Sequence, residues 1–531
     1  MNTISKLHLE GFKKYKEHTE INFNKDISIL IGDNDSGKSS VLQAISIVLK
    51  GKYHNINSST DNTYANLLNA DLVRSFENDT KNRHDYTKLP SIKLVIEFEL
   101  EKVPKNSVFD GENYPQSMKN WNLGSSGVIF EYKFNEDFKE QYMEWTLNQS
   151  DLGVFTLPFD LYQATWRTFS GVAYLMRQDP LKTITIDNSN WIGDPFNIFA
   201  KQLFNGLTDS KKQKMQSSYR QSISQIHSEN IEEYELKINP NTTSLESILD
   251  VINVNNQVSI RHLGSGQENL IKTKLALESE DTRLILIEEP ENHLSTNNTK
   301  QQITNIKKNI NESQLIVTTH NPQIISRMGI KNVLWIKNNK PTIQTFSKLT
   351  QKTTSFFERL DNLNFLNLLS AKYIVLVEGT AEYIVMETLL KIANPALADS
   401  VEVISYKGRY YDAFYELARI TNARVVIFTD NDRDEKRLQQ AKNNNEKNED
   451  VRIFLGEDLE TEWTFEAAVY ERNKQRIEKT PFSTRTVNSE LNYMLDNKTI
   501  IALDMVDRFT DGSLVMPSYI ENGLSWLLND N

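Results

Sequence analysis

Ile27-Ser28-Ile29-Leu30-Ile31-Gly32-Asp33-Asn34-Asp35-Ser36-Gly37-Lys38-Ser39 passes from an apolar run into a glycine-bounded turn that ends in a lysine–serine pair. Its last eight residues satisfy G-x-x-x-x-G-K-[ST] at every position. The spacing predicts a short buried strand, a tight turn and a helix from about Lys38 to Lys50. Glycines let the backbone turn its N–H groups toward phosphate oxygens, and the helix N-terminus adds positive potential. Gly32, Asn34, Gly37, Lys38, Ser39 and Ser40 are therefore the candidate nucleotide contacts. Lys38 is expected to reach the terminal phosphates and Ser39 to coordinate Mg²⁺, which makes ATP the expected cofactor.

Further along, Leu284-Ile285-Leu286-Ile287-Glu288-Glu289-Pro290-Glu291 is an apolar run that ends in acids. Glu288 can hold the magnesium shell, and Glu289 can orient or deprotonate the attacking water. Between the two lies His262-Leu263-Gly264-Ser265-Gly266-Gln267-Glu268-Asn269, and beyond them Leu315-Ile316-Val317-Thr318-Thr319-His320-Asn321-Pro322. The short apolar runs 284–287 and 315–318 read as buried parallel strands. P-loop, signature, acidic strand and histidine occur in the order of ABC-type ATPases, which residues 1–345 resemble. The signature LGSGQ departs from the commoner LSGGQ order. The resemblance implies that ATP lies between the P-loop of one subunit and Ser265, Gly266 and Gln267 of another, with His320 sensing the γ-phosphate. The opening ISKLHLEGFKKY resembles the RecF/SMC-like branch, with Phe12-Lys13 where that branch has Phe-Arg.

A second α/β pattern begins at Tyr373–Val377, continues at Val401–Ser405 and returns at Val425–Phe428. The first run leads to Glu378-Gly379-Thr380-Ala381-Glu382, and the third to Thr429-Asp430-Asn431-Asp432. Strands of one parallel sheet gather such acids at their carboxyl ends, where α/β proteins bind ligands. The acids repel one another unless a divalent cation intervenes, and oxygen-only donors suit Mg²⁺ or Mn²⁺.

The bulk composition agrees with this organisation. At 531 residues the chain is too long for one hydrophobic core, and 38% hydrophobic with 25% charged residues fits a folded, water-soluble protein. No run of about 18 apolar residues or signal peptide is present, and there is no cysteine for disulfides or thiolate sites, so a cytoplasmic protein without membrane attachment is expected. The net charge is −11, and residues 371–531 hold 19 Lys/Arg against 28 Asp/Glu. That acidity opposes unassisted binding to nucleic acid. Ile92–Leu100 and Val128–Phe134 alternate like antiparallel strands with one solvated face. Residues 51–87 read as a polar surface insertion, about 194–250 as a helical insertion that would serve as a dimerisation arm, 346–370 as a linker, and 434–450 as a solvated loop or exposed helix.

The acids of the second pattern are similar to those of Toprim domains. An ABC-type ATPase followed by Toprim resembles the OLD (overcoming lysogenization defect) nucleases, the family of the nuclease subunit of the Gabija anti-phage system. The fold implied is α/β, an N-terminal P-loop ATPase with a helical insertion and a C-terminal Toprim domain over 371–531. By the family's motif Glu378, Glu382, Asp430 and Asp432 would be metal ligands. Thr464-Phe465-Glu466 resembles a later family element with Phe in place of Leu, which makes Glu466 a second-metal candidate. Lys498 sits where the family carries a catalytic lysine, so Glu378 and Lys498 join Glu289 as candidate catalytic residues. The resemblance implies an ATP-regulated DNA endonuclease of bacterial anti-phage defence that works as a dimer or tetramer. It acts alone, beside a UvrD-like helicase, or with a retron reverse transcriptase and its DNA. Two rivals are an ATP-driven DNA-binding scaffold or sensor with an inactive Toprim site, and a topoisomerase-like strand-passage enzyme. Tyr406, Tyr410 and Tyr411 read as strand-end and packing residues, which counts against the second rival.

Overall fold

Two compact units, Met1–Ser347 and Lys348–Asn531, divide the computed structural model. It describes residues 2–50, 61–79, 82–100, 108–111, 126–149, 156–175, 179–187, 200, 203–204, 207–224, 229–231, 234–236, 252–253, 258–259, 263–277, 283–310, 313–337, 342–359, 365–406, 411–483 and 488–528.

The first unit opens with β1 (Thr3–Glu10), β2 (Thr19–Asn22), β3 (Ile27–Ile31), β4 (Ile92–Glu99), β5 (Ser126–Phe134), β6 (Tyr162–Thr168) and β7 (Ile184–Asp187). Four short strands follow, β8 (Glu229–Ile231), β9 (Tyr234–Leu236), β10 (Ile252–Asn253) and β11 (Val258–Ser259), paired two by two. The unit closes with β12 (Leu284–Glu288), β13 (Gln314–Thr318), β14 (Val333–Ile336) and β15 (Ile343–Thr345). One sheet is antiparallel, in the order β2-β1-β4-β5-β6. The other runs β15-β14-β3-β13-β12-β7 and is parallel except for its edge strand β15. Every residue of β3, β12 and β13 is buried, which is why these strands read as unbroken apolar runs.

Helix Lys38–Lys50 lies between the two sheets, touching β4 and β5 on one side and β12 and β13 on the other. That position accounts for its sequence, in which Val41, Leu42, Ala44, Ile45, Ile47, Val48 and Leu49 leave no solvated face. Gln314 ties the sheets together. Fully buried, it accepts from the Ile4 amide at 2.8 Å and donates to the carbonyls of Ile4 and Asn24, both at 2.8 Å.

The second unit contains β16 (Tyr373–Val377), β17 (Val401–Ser405), β18 (Arg424–Phe428) and β19 (Val451–Phe454), all parallel, in the order β17-β16-β18-β19. Helices Thr380–Ala393, Phe465–Lys479, Lys498–Thr510 and Ser518–Leu528 supply most of the apolar residues that pack with this sheet. Among the described residues no helix is long and apolar enough to cross a membrane.

Several segments differ from the sequence reading. Tyr64, Leu67, Leu68 and Phe76, within the supposed surface insertion, are buried in the first unit's core, and only residues 51–60 and 80–81 of it lie outside the described residues. Aromatic and leucine anchors spaced among polar residues hid that burial. In the supposed helical insertion the structure places helix Asp209–Ser224 but also strands β8 and β9, and much of the remainder lies outside the described residues. The segment read as a linker holds helix Gln351–Arg359, whose Phe357 meets Phe414 edge-on at 5.4 Å inside the second unit. Residues 435–447 form a helix capped by the Asp434 side chain.

Gln314→Leu keeps the volume but strands the Ile4 amide and two carbonyls away from water. Each orphaned group costs about 1–3 kcal/mol. Chemical denaturation monitored on the first unit is expected to show a loss of about 3 kcal/mol or more; an unchanged midpoint would refute the stapling role.

Candidate functional site

In the first unit the nucleotide candidates meet at the carboxyl edge of the parallel sheet. The P-loop follows β3, His320 follows β13, and Glu288 ends β12, and these three strands are neighbours. The loop needs its glycines for space as well as conformation. Gly32 has φ +154°, and a Cβ there would lie 2.5 Å from the Ile336 carbonyl oxygen. Gly37 has φ +100° and lies under the Tyr15 ring, whose hydroxyl donates to the Gly37 carbonyl at 3.2 Å.

Lys38 is buried and donates from Nζ to the carbonyls of Gly32 at 3.0 Å and Asp33 at 2.8 Å. Burial depresses its pKa to about 8, against the opposing pull of Glu289, Asp33, Glu288 and Asp35. Ser39 and Asn34 are exposed and Ser40 is buried at the start of the helix. Glu288 is buried, while Glu289 turns out of the strand at φ +45°. The Glu289 carboxylate accepts from Asn292 Nδ2 at 2.7 Å, and its other oxygen lies 3.8 Å from His320 Nε2. Burial, and then the Lys38 charge, lower the His320 pKa, so the imidazole is neutral at pH 7.

Two neighbours escaped the sequence reading. Glu291 accepts from the Thr319 hydroxyl at 2.6 Å and the His320 amide at 2.9 Å, and so fixes the histidine's backbone. Lys13 stands in the field of Glu288, its pKa lowered by burial. The Glu-Glu-Pro-Glu spacing carried a signal for the first; only the position after β1 marked the second. Ser265, Gly266 and Gln267 open helix Ser265–Leu277, where a Cβ on Gly266 would sit 2.8 Å from the His293 carbonyl oxygen. Among the described residues no hydrogen bond or ion pair joins them to the P-loop of the same chain. His262 lies outside the described residues.

In the second unit Glu378 follows β16 and Asp430 stands two residues beyond β18, the strand beside it. Glu378 Oε2 accepts from the Thr429 hydroxyl at 2.6 Å, which locks the two strand ends together. Gly379 caps helix Thr380–Ala393, and a Cβ there would lie 2.5 Å from Glu382 Oε2. A side chain there would push the Glu382 carboxylate from this position, which gives the Glu-Gly-x-x-Glu spacing a physical content. Asp430 Oδ1 accepts from the Phe465 amide at 3.0 Å, at the start of the helix that carries the buried Glu466. Lys498 opens its own helix and donates to Glu466 Oε2 at 2.8 Å.

These acids sit in one another's fields. Burial, then Glu466 and Glu378, raise the Glu382 pKa to about 7, and Lys498 opposes. Burial, then Glu382, Glu466 and Glu378, raise Asp430 to about 8. Burial lowers the Lys498 pKa, but Glu466, Asp430 and Glu382 outweigh it and hold the ammonium above its ordinary value.

Asp432 differs from the other acids in its exposure: at φ +48° its carboxylate is half exposed and ion-paired with Arg437. Between the acids, Asn431 is fully buried and donates to the carbonyls of Gly456 at 2.9 Å and Glu462 at 3.1 Å. Its role was invisible in a string that reads as a spacer between acids. Tyr519, buried within the field of Asp430, Glu382 and Glu466, was likewise missed.

Among the described residues no three acidic or histidine side chains lie close enough to form a ready coordination sphere. The donor chemistry nevertheless suits a hard divalent cation. Four carboxyl groups share one field with a single ammonium, and burial, then their mutual repulsion, drives two of them toward protonation.

Comparisons with known proteins place matching domains over both units. The AAA ATPase domain matches residues 3–190, an AAA domain matches 175–326, and the overcoming lysogenization defect protein-like TOPRIM domain matches 369–432. The structural maintenance of chromosomes protein 3 homolog of Plasmodium falciparum is 44% identical over 46 residues, 9% of this chain and 4% of that protein. The DNA replication and repair protein RecF of Clostridium acetobutylicum is 38% identical over 58 residues, 11% of this chain and 16% of that protein. The matched stretches thus span a small part of both relatives. The SMC head domain from Thermotoga maritima aligns at 14% identity over 64% of this chain and 98% of that one, with a TM-score of 0.30. The Smc head domain from Pyrococcus furiosus, bound to the C-terminal domain of ScpA, aligns at 14% identity over 65% and 95%, with a TM-score of 0.34.

Two outcomes follow. Lys38→Ala removes the buried ammonium of the loop, and calorimetric titration is expected to show ATP binding weakened by more than about tenfold; unchanged affinity would exclude the P-loop assignment. For Asp430 the sign follows from linkage. A folded pKa of about 8 against an ordinary 3.8 means the folded state binds more protons between those values. Its contribution therefore destabilises increasingly as pH rises from about 4 to about 8. In EDTA, Asp430→Asn should raise the melting temperature relative to wild type more at pH 8 than at pH 5. A difference independent of pH would contradict the shared field.

Proposed function

Because the chain joins AAA-type ATPase domains to an OLD-like TOPRIM domain, the arrangement of OLD-family ATPase–Toprim proteins, we propose an ATP-regulated, divalent-metal-dependent DNA endonuclease of bacterial anti-phage defence. One observation carries the reading: Glu378, Glu382, Asp430 and Glu466 share a partly buried field with Lys498 at the carboxyl edge of a parallel sheet.

In the second unit Glu378, Glu382, Asp430 and Glu466 would hold the cation. Bound there, Mg²⁺ or Mn²⁺ would supply an activated water and neutralise the leaving oxygen of a phosphodiester. Thr429 orients Glu378, and the Phe465 amide orients Asp430. Lys498, half exposed, offers positive charge to the phosphate as negative charge builds on it. In the first unit Lys38 and Ser39 serve the triphosphate and its Mg²⁺, Glu289 orients water, and neutral His320 faces the γ-phosphate. Ser265, Gly266 and Gln267 would complete the same site on a second copy of the chain, so ATP closes a dimer and hydrolysis opens it.

A second reading, an ATP-driven DNA-binding scaffold with an inactive acidic site, draws support from the Lys498–Glu466 and Arg437–Asp432 pairs, which already neutralise two of the candidate ligands. One assay separates the readings. Wild type is expected to nick or linearise plasmid DNA in Mn²⁺, and Glu378→Ala to cut at least about a hundredfold more slowly. Equal cutting by the two proteins, or none by either, discards the nuclease.

A further inference from the structure

Helices Phe465–Lys479 and Lys498–Thr510 start together at the acids, where Lys498 holds Glu466 at 2.8 Å. They also finish together. Arg476, in the last turn of the first, donates to the carbonyls of Gly512 at 3.0 Å and Ser513 at 3.3 Å, just past the end of the second. Arg508, in the last turn of the second, donates to the carbonyls of Thr480 at 2.6 Å and Pro481 at 3.2 Å, just past the end of the first. Its guanidinium lies 3.9 Å from the centre of the Phe482 ring. Arg476, Arg508 and Lys479 line one cavity of about 280 Å³. That is several times the roughly 30 Å³ of a water molecule, so a phosphate group fits. Part of this charge is already answered: Arg508 pairs with Asp504 at 2.8 Å, while the nearby Asp511 accepts from the Ser513 amide at 2.8 Å. The rest is not. Arg476 is exposed and bonded only to neutral carbonyls, through one of its nitrogens. Lys479 is exposed and has no hydrogen bond or ion pair among the described residues. Capping of helix ends accounts for the two arginines but gives Lys479 nothing to hold.

We infer that this cleft binds a backbone phosphate of the nucleic acid whose scissile phosphodiester lies at the carboxylates. The inference rests on the nuclease reading above. Three cations converge here although residues 371–531 hold 19 Lys/Arg against 28 Asp/Glu, so the cleft is where this unit can attract a polyanion. Guanidinium groups pinned by carbonyls lose little freedom when they grip an anion, and their planar fork suits phosphate oxygens. The spacing points to the backbone of the same substrate. Arg476 lies ten residues beyond Glu466, and Arg508 ten beyond Lys498. At about 1.5 Å per residue both paths measure about 15 Å, the non-helical Asn473 aside. A duplex strand advances about 3.4 Å per nucleotide, so the cleft meets a phosphate about four nucleotides from the cut. Attraction and chemistry are thereby kept apart: the acids keep their cation, and the cleft holds the strand.

Lys479→Gln removes one charge and no internal contact. Lys474→Gln is the matched control, an exposed lysine of the same helix that stands about 140° round the axis from Lys479 and outside the cleft. Binding of a labelled duplex to the full chain is followed by fluorescence anisotropy over a range of KCl, with Ca²⁺ present to neutralise the acids. For Lys479→Gln the slope of log affinity against log salt is expected to flatten by about 0.9, with binding about three- to tenfold weaker at about 0.1 M salt. Lys479→Arg and Lys474→Gln should keep the wild-type slope. In Mn²⁺, Lys479→Gln should raise KM by the same factor and leave kcat within about twofold. A wild-type slope in Lys479→Gln, or an equal flattening in Lys474→Gln, overturns the inference while leaving the nuclease intact. So does saturable binding of inorganic phosphate that Lys479→Gln abolishes without touching the DNA slope, since the cleft would then serve a free anion. A wild type that never cuts removes the nuclease reading, and the flattened slope alone then upholds the cleft as a DNA phosphate site.

Discussion

Parallel strands deliver all their carboxyl ends to one edge of a sheet, and both units of this chain place their ionisable groups there. The constraint is topological before it is chemical. In the first unit three adjacent strands set the P-loop, His320 and Glu288 side by side. In the second, adjacent strands bring Glu378 to Asp430, and helices that start at the same edge add Glu382, Glu466 and Lys498. Carboxyl groups gathered out of water repel, so a fold that assembles them must hold each one by a specific contact or lose the arrangement.

Those contacts are small and local. Glu378 is held by a threonine hydroxyl, Asp430 by a backbone amide, and Glu382 by the absence of a side chain at Gly379. Asn431 donates its amide to three carbonyls of the 456–462 loop, so the residue between the acids anchors the segment that leads into the Glu466 helix. Each of these residues acts on the site without belonging to the acidic set. The site is thus a property of the strand ends and helix starts taken together, with the acids as its visible part.

The sequence was most legible where one interaction dictates one residue type. Unbroken apolar runs at 27–31, 284–287, 315–318 and 373–377 became buried parallel strands because only such strands are apolar on both faces. The Glu-Gly-x-x-Glu spacing was legible because the two acids flank one strand-to-helix turn, with Gly379 against the Glu382 carboxylate. Legibility failed where polar residues are buried in partnership with distant ones. Gln314 lay just outside the strand as read from sequence, because nothing local says that its partners are Ile4 and Asn24, about three hundred positions away. At Asp432 nothing in the string says that the backbone turns left-handed or that Arg437 pairs with the carboxylate. Tyr64 and Leu67 were lost among polar neighbours because anchors without a period carry no pattern.

Lys38 already gives its protons to two carbonyls of its own loop. Those carbonyls occupy the donors that phosphate oxygens would otherwise take. A nucleotide bound at this loop would trade those internal acceptors for its own oxygens, so its grip would reflect the difference between the two sets of bonds.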